Sequence, residues 1–162
     1  MINQYNKIAK WFSEVRTNDF SLESFHFSQF LKLIPKQGHI LDLGCGNGLP
    51  IAKFLLEKKY SVTAIDGSIE MIKLARRNIP DARILHQDLN ELSIDGPFDG
   101  VLLWHSLFHL NQDQQRDLFR KLPQLLKPDS ALMFTSGTTH SEVTSEMGGQ
   151  VIHHYSLAKE EY

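Results

Sequence analysis

Cysteine is nearly absent from this chain: Cys45 stands alone among 162 residues, so no internal disulfide can form. A reducing, cytoplasmic setting fits that composition. A surplus of positive charge is also missing. Lys plus Arg is 17 against 19 Asp plus Glu, a formal net charge of −2, and no long basic run is present. Nucleic acid is therefore not the expected partner. No apolar stretch is long enough to span a bilayer, and the opening MINQYNKIAKWF has no apolar core of signal-peptide length. Internal repeats and low-complexity tracts are lacking too. What remains is an ordinary globular composition, 41% hydrophobic with ten Phe, long enough for one domain with a real core.

The chain then alternates between two periodicities. Residues 3–16 place Tyr5, Ile8, Ala9, Phe12 and Val15 on one helical face, with Trp11 at its edge. A second helix is expected over about 21–34, with Leu22, Phe25, Phe30, Leu31 and Ile34 apolar and Pro35 as its stop. Strands are expected at 39–43, 61–66, 82–86, 98–104 and 131–135. Helices follow the first, second and fourth of these, at 51–58, after Ser68 and after Asn111. Pro123 is expected to kink or restart the last helix, and Lys127–Ser130 to turn into strand five. Alternating strands and helices of this kind require a parallel sheet covered on both faces. Residues 136–150 are polar and glycine-containing, which suggests a loop. Residues 151–155 suggest a short extended piece, and 156–162 the capped start of a helix.

The stretch that organises the rest is Ile40-Leu41-Asp42-Leu43-Gly44-Cys45-Gly46-Asn47-Gly48-Leu49-Pro50. A buried strand ends in a glycine loop and a helix opens behind it. Glycine lets backbone approach backbone or ligand, and Pro50 suits a helix start that needs no backbone donor. That geometry favours a nucleoside-type ligand at the carboxyl ends of parallel strands. Asp42, Asp66 and Asp88 fall at the ends of strands one, two and three. One such acid is well explained as a cap or a turn residue; three in register favour a nucleoside site. An acid about twenty residues beyond the loop, where Asp66 stands, can accept both hydroxyls of a ribose. A dinucleotide loop would need Gly-x-Gly-x-x-Gly. Counted from Gly44 the third position is Leu49, and from Gly46 it is Ile51, so a nicotinamide-dependent oxidoreductase is disfavoured.

Leu41-Asp42-Leu43-Gly44-Cys45-Gly46-Asn47-Gly48 resembles the first motif of class I S-adenosylmethionine-dependent methyltransferases. The resemblance continues through Val62–Ser68 with Met71, Gln87-Asp88-Leu89, Phe98–Trp104 and Leu125–Ser130, covering about 38–136. It implies a doubly wound, Rossmann-like α/β fold with strand order 3-2-1-4-5 and two N-terminal covering helices. The implied layout is a single domain: a cover over 1–36, a cofactor-binding core over 37–136 and an incomplete segment over 137–162. It implies S-adenosylmethionine as cofactor. Gly44, Cys45, Gly46 and Gly48 would approach its methionine part and ribose, with Asp42 holding the loop or a ligand ammonium. Asp66 would take the ribose hydroxyls, with Gly67 or Met71 against the adenine. Asp88 and Leu89 would bind the adenine edge, and Trp104 the methionine end. On spacing alone, Met71 fits core packing equally well. The family's two glycines before strand five are replaced by Asp129-Ser130. The family also adds a helix and two further strands after strand five, and these strands, the sixth and seventh, are expected to be missing or incomplete. An exposed sheet edge would then invite homo-oligomerisation.

Methyl transfer needs an acceptor held in line, aligned and dry. A base is needed only where the acceptor must lose a proton. His105, directly after strand four, is the leading candidate and Tyr5, on the covering helix, the second. His109, His140, His153, His154 and Tyr155 are further candidates, and Trp11, Phe12 and Phe20 could form an apolar lid. No carboxylate or cysteine completes a familiar metal spacing around the His105/His109 or His153/His154 pairs, so no metal is expected. The function expected from the resemblance is methyl transfer to a small molecule. The alternative is a non-catalytic methyltransferase-like binding or regulatory domain, motivated by the missing strands.

Overall fold

The computed structural model describes residues 1–16, 19–21 and 23–162. Helix α1 spans Ile2–Val15 and α2 spans Ser24–Lys32. The core follows as β1 (His39–Leu43), α3 (Ile51–Glu57), β2 (Ser61–Asp66), α4 (Ile69–Asn78), β3 (Arg83–His86), β4 (Phe98–Leu103), α5 (Gln112–Leu125) and β5 (Leu126–Phe134). Leu22, expected in the apolar set of the second helix, lies outside the described residues.

All five strands pair in parallel, in the order β3-β2-β1-β4-β5. Side chains alternate across the sheet with the strand period of two, which sorts them into two cores. Ile40, Val62, Ala64 and Leu102 pack on one face with Phe27 and Phe30 of α2, Ala52 and Leu55 of α3, and Ala75 of α4. Leu41, Leu43, Ile65, Val101 and Leu103 pack on the other with Leu118 and Leu122 of α5. A strand buried on both faces has no solvated side, which is why β4 is buried at every position.

The expectation that strands six and seven are missing is overturned. Residues Ser141–Met147 form β6 and Gln150–Ser156 form β7, an antiparallel pair making a second, two-stranded sheet. Met147 pairs with Gln150, so the turn is the two residues Gly148-Gly149, with φ of 55° and 75°. A type I′ turn requires positive φ at both positions, and this twist matches antiparallel strands. The polarity of 136–150 suggests a loop, but one face of this hairpin is open to water, and such strands tolerate polar residues. The inner face buries Ile152 and Ser156. Gly148 abuts Trp11 and Ile8 of α1. Residues 156–162 do not start a long helix: Ser156 ends β7, and Lys159–Glu161 make a single 3-10 turn. Gln115, fully buried, ties this segment to α5. Its Nε2 donates to Leu110 O at 2.8 Å and Tyr155 O at 3.0 Å, and its Oε1 accepts from the Tyr162 hydroxyl at 3.0 Å.

Two smaller differences have local causes. Helix α5 runs through Pro123 without a restart and ends two residues later. Leu126 pairs with Phe98 and pairing resumes at Ala131 with Gly100, so Lys127–Ser130 bulge out within β5. Asp129 takes φ 61° there, the left-handed conformation that Asp tolerates better than most residues.

Candidate active site

Strands β1, β2 and β4 deliver their carboxyl ends to one edge of the sheet. Asp42 stands level with Ala64 of β2 and Leu102 of β4. Strand order reverses between β1 and β4, which is where a doubly wound sheet opens a crevice. The crevice is a groove of about 530 Å³. Its floor is the loop after β1 and its roof is α1.

The three loop glycines serve different ends. Gly44 takes φ 83°, and a Cβ there would sit 2.3 Å from Ser106 Cβ. Its N–H and that of Cys45 donate to Ile65 O at 2.8 and 2.9 Å, fixing the loop to β2. A Cβ on Gly48 would strike Ile79 at 2.8 Å. Gly46, at φ 57°, has nothing within 4 Å of its Cβ position. Gly44 and Gly48 are therefore packing glycines, and Gly46 is the one that faces open groove.

Asp66 lies beside Gly46. Its Oδ2 accepts from Gly46 N and its Oδ1 from Ser68 N, each at 2.8 Å. A carboxylate offers about four acceptor positions, so two remain, the number a vicinal diol can fill. Burial raises its pKa, and the two N–H groups and His86 oppose that rise. Asp42 is 4% exposed, and among the described residues nothing hydrogen-bonds its carboxylate. Burial and the neighbouring Asp66 push it up to about 7, against the pull of Arg16. Cys45 lines the same wall, with its thiol held well above the usual range by burial and the two carboxylates. A low-pKa nucleophile is thereby excluded at that position.

At one end of the groove Met71, 1% exposed, and Leu89 line the wall with Asp88. Asp88 Oδ1 caps the 3-10 turn at Leu89–Glu91 by accepting from Asn90 N. Gly67 also lines the groove, under the Ile2 side chain. At the other end stand Trp104, His105 and Ser106, directly after β4. Trp104 Nε1 is buried and has no hydrogen-bond partner among the described residues. His105 adopts φ 54°, which turns its ring toward Glu23, whose Oε1 lies 3.9 Å from Nε2. Burial first, then Arg16, lowers its pKa, so the ring is neutral at pH 7.

Helix α1 is laid over the groove by polar contacts. Asn47 Nδ2 donates to Ser13 Oγ at 2.6 Å, and Ser68 Oγ donates to Asn6 Oδ1 at 2.7 Å. The Tyr5 hydroxyl lies 2.8 Å from His109 Nε2. Burial raises Tyr5 to about 12 and lowers His109 to about 4, so both are uncharged at pH 7. His109 Nδ1 is buried and points toward the backbone of His153 without reaching hydrogen-bond geometry.

Every residue expected at the cofactor lines this groove except Gly48, which packs behind it, while Tyr5 and His105 line it as well. The remaining histidine candidates fall on the hairpin or near it. His140 pairs with Glu161, and His153 with Glu142. His154 Nε2 meets Ser145 Oγ at 2.8 Å, and its ring lies 5.4 Å from the His109 ring between centroids. Of the expected lid, Phe12 lines the groove, Trp11 packs on Gly148 and Phe20 packs on Phe27 and Phe54. Among the described residues there is no group of three or more His, Cys, Asp or Glu placed to hold a metal ion. Sequence reasoning missed Arg16, which also lines the groove. The available signal was spacing: Arg16 lies four residues after Phe12, on the same helical face.

A family model described as a methyltransferase domain matches residues 40–129. The chain is similar to a putative methyltransferase, YqeM, of Bacillus subtilis. They are 36% identical over 107 residues, covering 62% of this chain and 43% of that protein. A dTDP-3-amino-3,6-dideoxy-alpha-D-glucopyranose N,N-dimethyltransferase of Streptomyces fradiae is 31% identical over 84 residues, covering 51% of this chain and 32% of that one. The chain thus spans less than half the length of either relative. Among solved structures, a DhpI–SAH complex superposes with a TM-score of 0.78 at 22% identity, covering 99% of this chain and 80% of that one. A methyltransferase from Clostridium acetobutylicum gives 0.73 at 17% identity, covering 98% and 84%. At such identities the structural likeness is one of fold.

Proposed function

The chain belongs to the class I S-adenosylmethionine-dependent methyltransferase family, and from that premise we propose that its groove binds S-adenosylmethionine and directs the methyl group to a small-molecule acceptor. The observation that carries this reading is Asp66: a carboxylate at the end of β2, beside the open face of Gly46, with two acceptor positions still free. Those positions take the two ribose hydroxyls. Asp88 accepts from the adenine amine, Leu89 offers its backbone N–H to the ring, and Met71 packs against the ring face. Gly44, Cys45 and Gly46 border the methionine part, with Asp42 toward its ammonium and Trp104 along its side.

When bound, the cofactor supplies an electrophilic methyl group on sulfur, so the hard chemistry is its own. The chain's residues orient and shield. Helix α1 roofs the groove with Phe12 and Tyr5, which excludes water from the displacement. His105, neutral at pH 7 and leaning on Glu23, can take a proton from an acceptor hydroxyl or ammonium. Tyr5 stays protonated at pH 7 and positions the acceptor by hydrogen bonding, held in turn by His109.

A small acceptor is supported by a groove of about 530 Å³ and by the lack of a basic excess. The similar protein of Streptomyces fradiae is named for a sugar nucleotide. No helix among the described residues is long and apolar enough to cross a membrane. A non-catalytic role loses its motive once strands six and seven are present. Association through the unpaired outer edge of β5 is part of the same proposal, and sedimentation velocity reads it directly. Isothermal titration with S-adenosylmethionine and S-adenosylhomocysteine tests the reading. One site per chain is expected for each, and absence of heat with both overturns it.

A further inference from the structure

The groove changes character along its length. Helix α1 begins over Gly67, which the Ile2 side chain covers, and ends over the loop after β1, where Asn47 Nδ2 donates to Ser13 Oγ. Asp66, Asp88 and Met71 line the first part, and Phe12, Trp104 and His105 the far end. Rings dominate that end. Phe12 meets Tyr5 edge-on, with centroids 5.8 Å apart at 78°, and Trp104 meets His105 edge-on, 5.2 Å apart at 62°. Edges and faces set at such angles suit a further planar ring. Trp104 Nε1 is buried and has no partner among the described residues, and a buried donor left unpaired is costly until a partner arrives.

Charge and proton affinity narrow the acceptor further. The described residues that line the groove carry Asp42, Asp66 and Asp88 against Arg16 alone, which disfavours a phosphorylated or carboxylated acceptor. His105 is a neutral imidazole whose Nε2 faces Glu23 Oε1 at 3.9 Å. Nδ1 is the nitrogen left to take a proton, and the imidazolium so formed faces the Glu23 carboxylate. A phenolic hydroxyl, which in Tyr ionises at about 10, is within reach of such a base. An alkyl hydroxyl holds its proton nearly as tightly as water, at about 15.7, and is not.

We propose that the Trp104–His105 end of the groove takes a phenolic acceptor, its ring against Phe12 and its hydroxyl between Trp104 Nε1 and His105 Nδ1. This rests on the cofactor reading above. The phenolic oxygen forms the new bond to the methyl carbon, the carbon–sulfur electron pair stays on sulfur, and the hydroxyl proton passes to His105 Nδ1 and on to solvent. The test is NMR titration of the full chain, saturated with S-adenosylhomocysteine, with phenol and with cyclohexanol. The two probes share ring size and hydroxyl and differ in planarity and acidity. Phenol is expected to bind about 10-fold more tightly. Phe12→Leu is expected to cut that preference to within about 2-fold. Trp104→Phe keeps a ring without the donor and is expected to weaken phenol about 5- to 10-fold. Binding of S-adenosylhomocysteine by each variant shows that its groove is folded. With S-adenosylmethionine the wild type is expected to convert phenol to anisole, read by mass spectrometry, and His105→Gln to lower that rate by about 100-fold or more. Equal affinity for the two probes, no anisole from the wild type, or full activity in His105→Gln overturns the inference while leaving the cofactor reading standing. Phenol affinity unchanged in both Phe12→Leu and Trp104→Phe overturns it as well. Failure of the wild-type chain to bind S-adenosylhomocysteine overturns the cofactor reading and this inference together.

Discussion

Replacing Gly44 by Ala should damage the chain through two separable costs. The first is conformational: at φ 83° a residue with a Cβ costs roughly 1–2 kcal/mol. The second is steric: the new methyl would sit 2.3 Å from Ser106 Cβ and 2.9 Å from its Oγ. Ser106 cannot easily yield, because it is buried, its Oγ donates to Leu43 O at 2.6 Å and its own carbonyl accepts from His109 N at 3.0 Å. Overpacking of this kind adds roughly 1–3 kcal/mol, for a total of about 2–5 kcal/mol. Ser106→Gly removes the obstructing atoms and leaves the Ser106 Cα at 3.6 Å, an ordinary contact. Alone it forfeits the hydrogen bond to Leu43 O, about 1–3 kcal/mol. In that background Gly44→Ala should cost only the conformational part. Urea unfolding of the wild type, both single variants and the double variant measures this. A coupling of about 1–3 kcal/mol is expected, and strictly additive losses would refute the reasoning. Gly46→Ala is the contrast: with open space around its Cβ position, it should lose about 1 kcal/mol of stability while placing a methyl in the groove and weakening S-adenosylhomocysteine.

Further outcomes follow from the same site. Asp66→Asn should weaken S-adenosylhomocysteine by about 10- to 100-fold, because an amide cannot accept from Gly46 N, Ser68 N and a diol together; unchanged affinity by titration would remove Asp66 from the site. Asp42 is raised from 3.8 to about 7 on folding, so between those values the folded chain holds a proton that the unfolded chain has lost. The contribution of Asp42 to stability then falls as pH rises through that window, by roughly 4 kcal/mol at most. Asp42→Asn removes that contribution, so in urea unfolding from pH 4 to pH 8 the variant should gain stability relative to the wild type as pH rises. Tyr5→Phe leaves a second ring nitrogen of His109 without a partner and should cost about 1–3 kcal/mol. Its effect on methyl transfer should exceed its effect on S-adenosylhomocysteine affinity, read as a fall in kcat. Gln115→Leu frees the Leu110 and Tyr155 carbonyls and should speed amide hydrogen exchange in β7 while leaving β1 protected.

The parallel sheet was legible because its strands announce themselves locally. Val62–Asp66 and Phe98–Leu103 are short, largely apolar runs, and the failed third glycine position disfavours a dinucleotide loop. Asp42, Asp66 and Asp88 were legible as a set because each terminates a strand. The hairpin was not, since Glu142, Thr144 and Glu146 face water and mimic loop composition, although Gly148-Gly149 was a turn signal in plain view. The Tyr5–His109 contact joins residues 104 apart in the chain, and no local pattern carries such a pairing. Arg16 was hidden differently: on a helical wheel it extends the Tyr5–Phe12 face, but its contact with the Leu49 carbonyl depends on where that loop lies in space.

The central claim is that the groove beside Asp66 holds the nucleoside of S-adenosylmethionine. A crystal structure of the chain with S-adenosylhomocysteine tests it most directly. The account expects both ribose hydroxyls on the Asp66 carboxylate, with the adenine between Met71 and the Asp88–Leu89 turn. Ligand density outside the groove, or an Asp66 carboxylate that touches only Gly46 N and Ser68 N in ligand-saturated crystals, would contradict it.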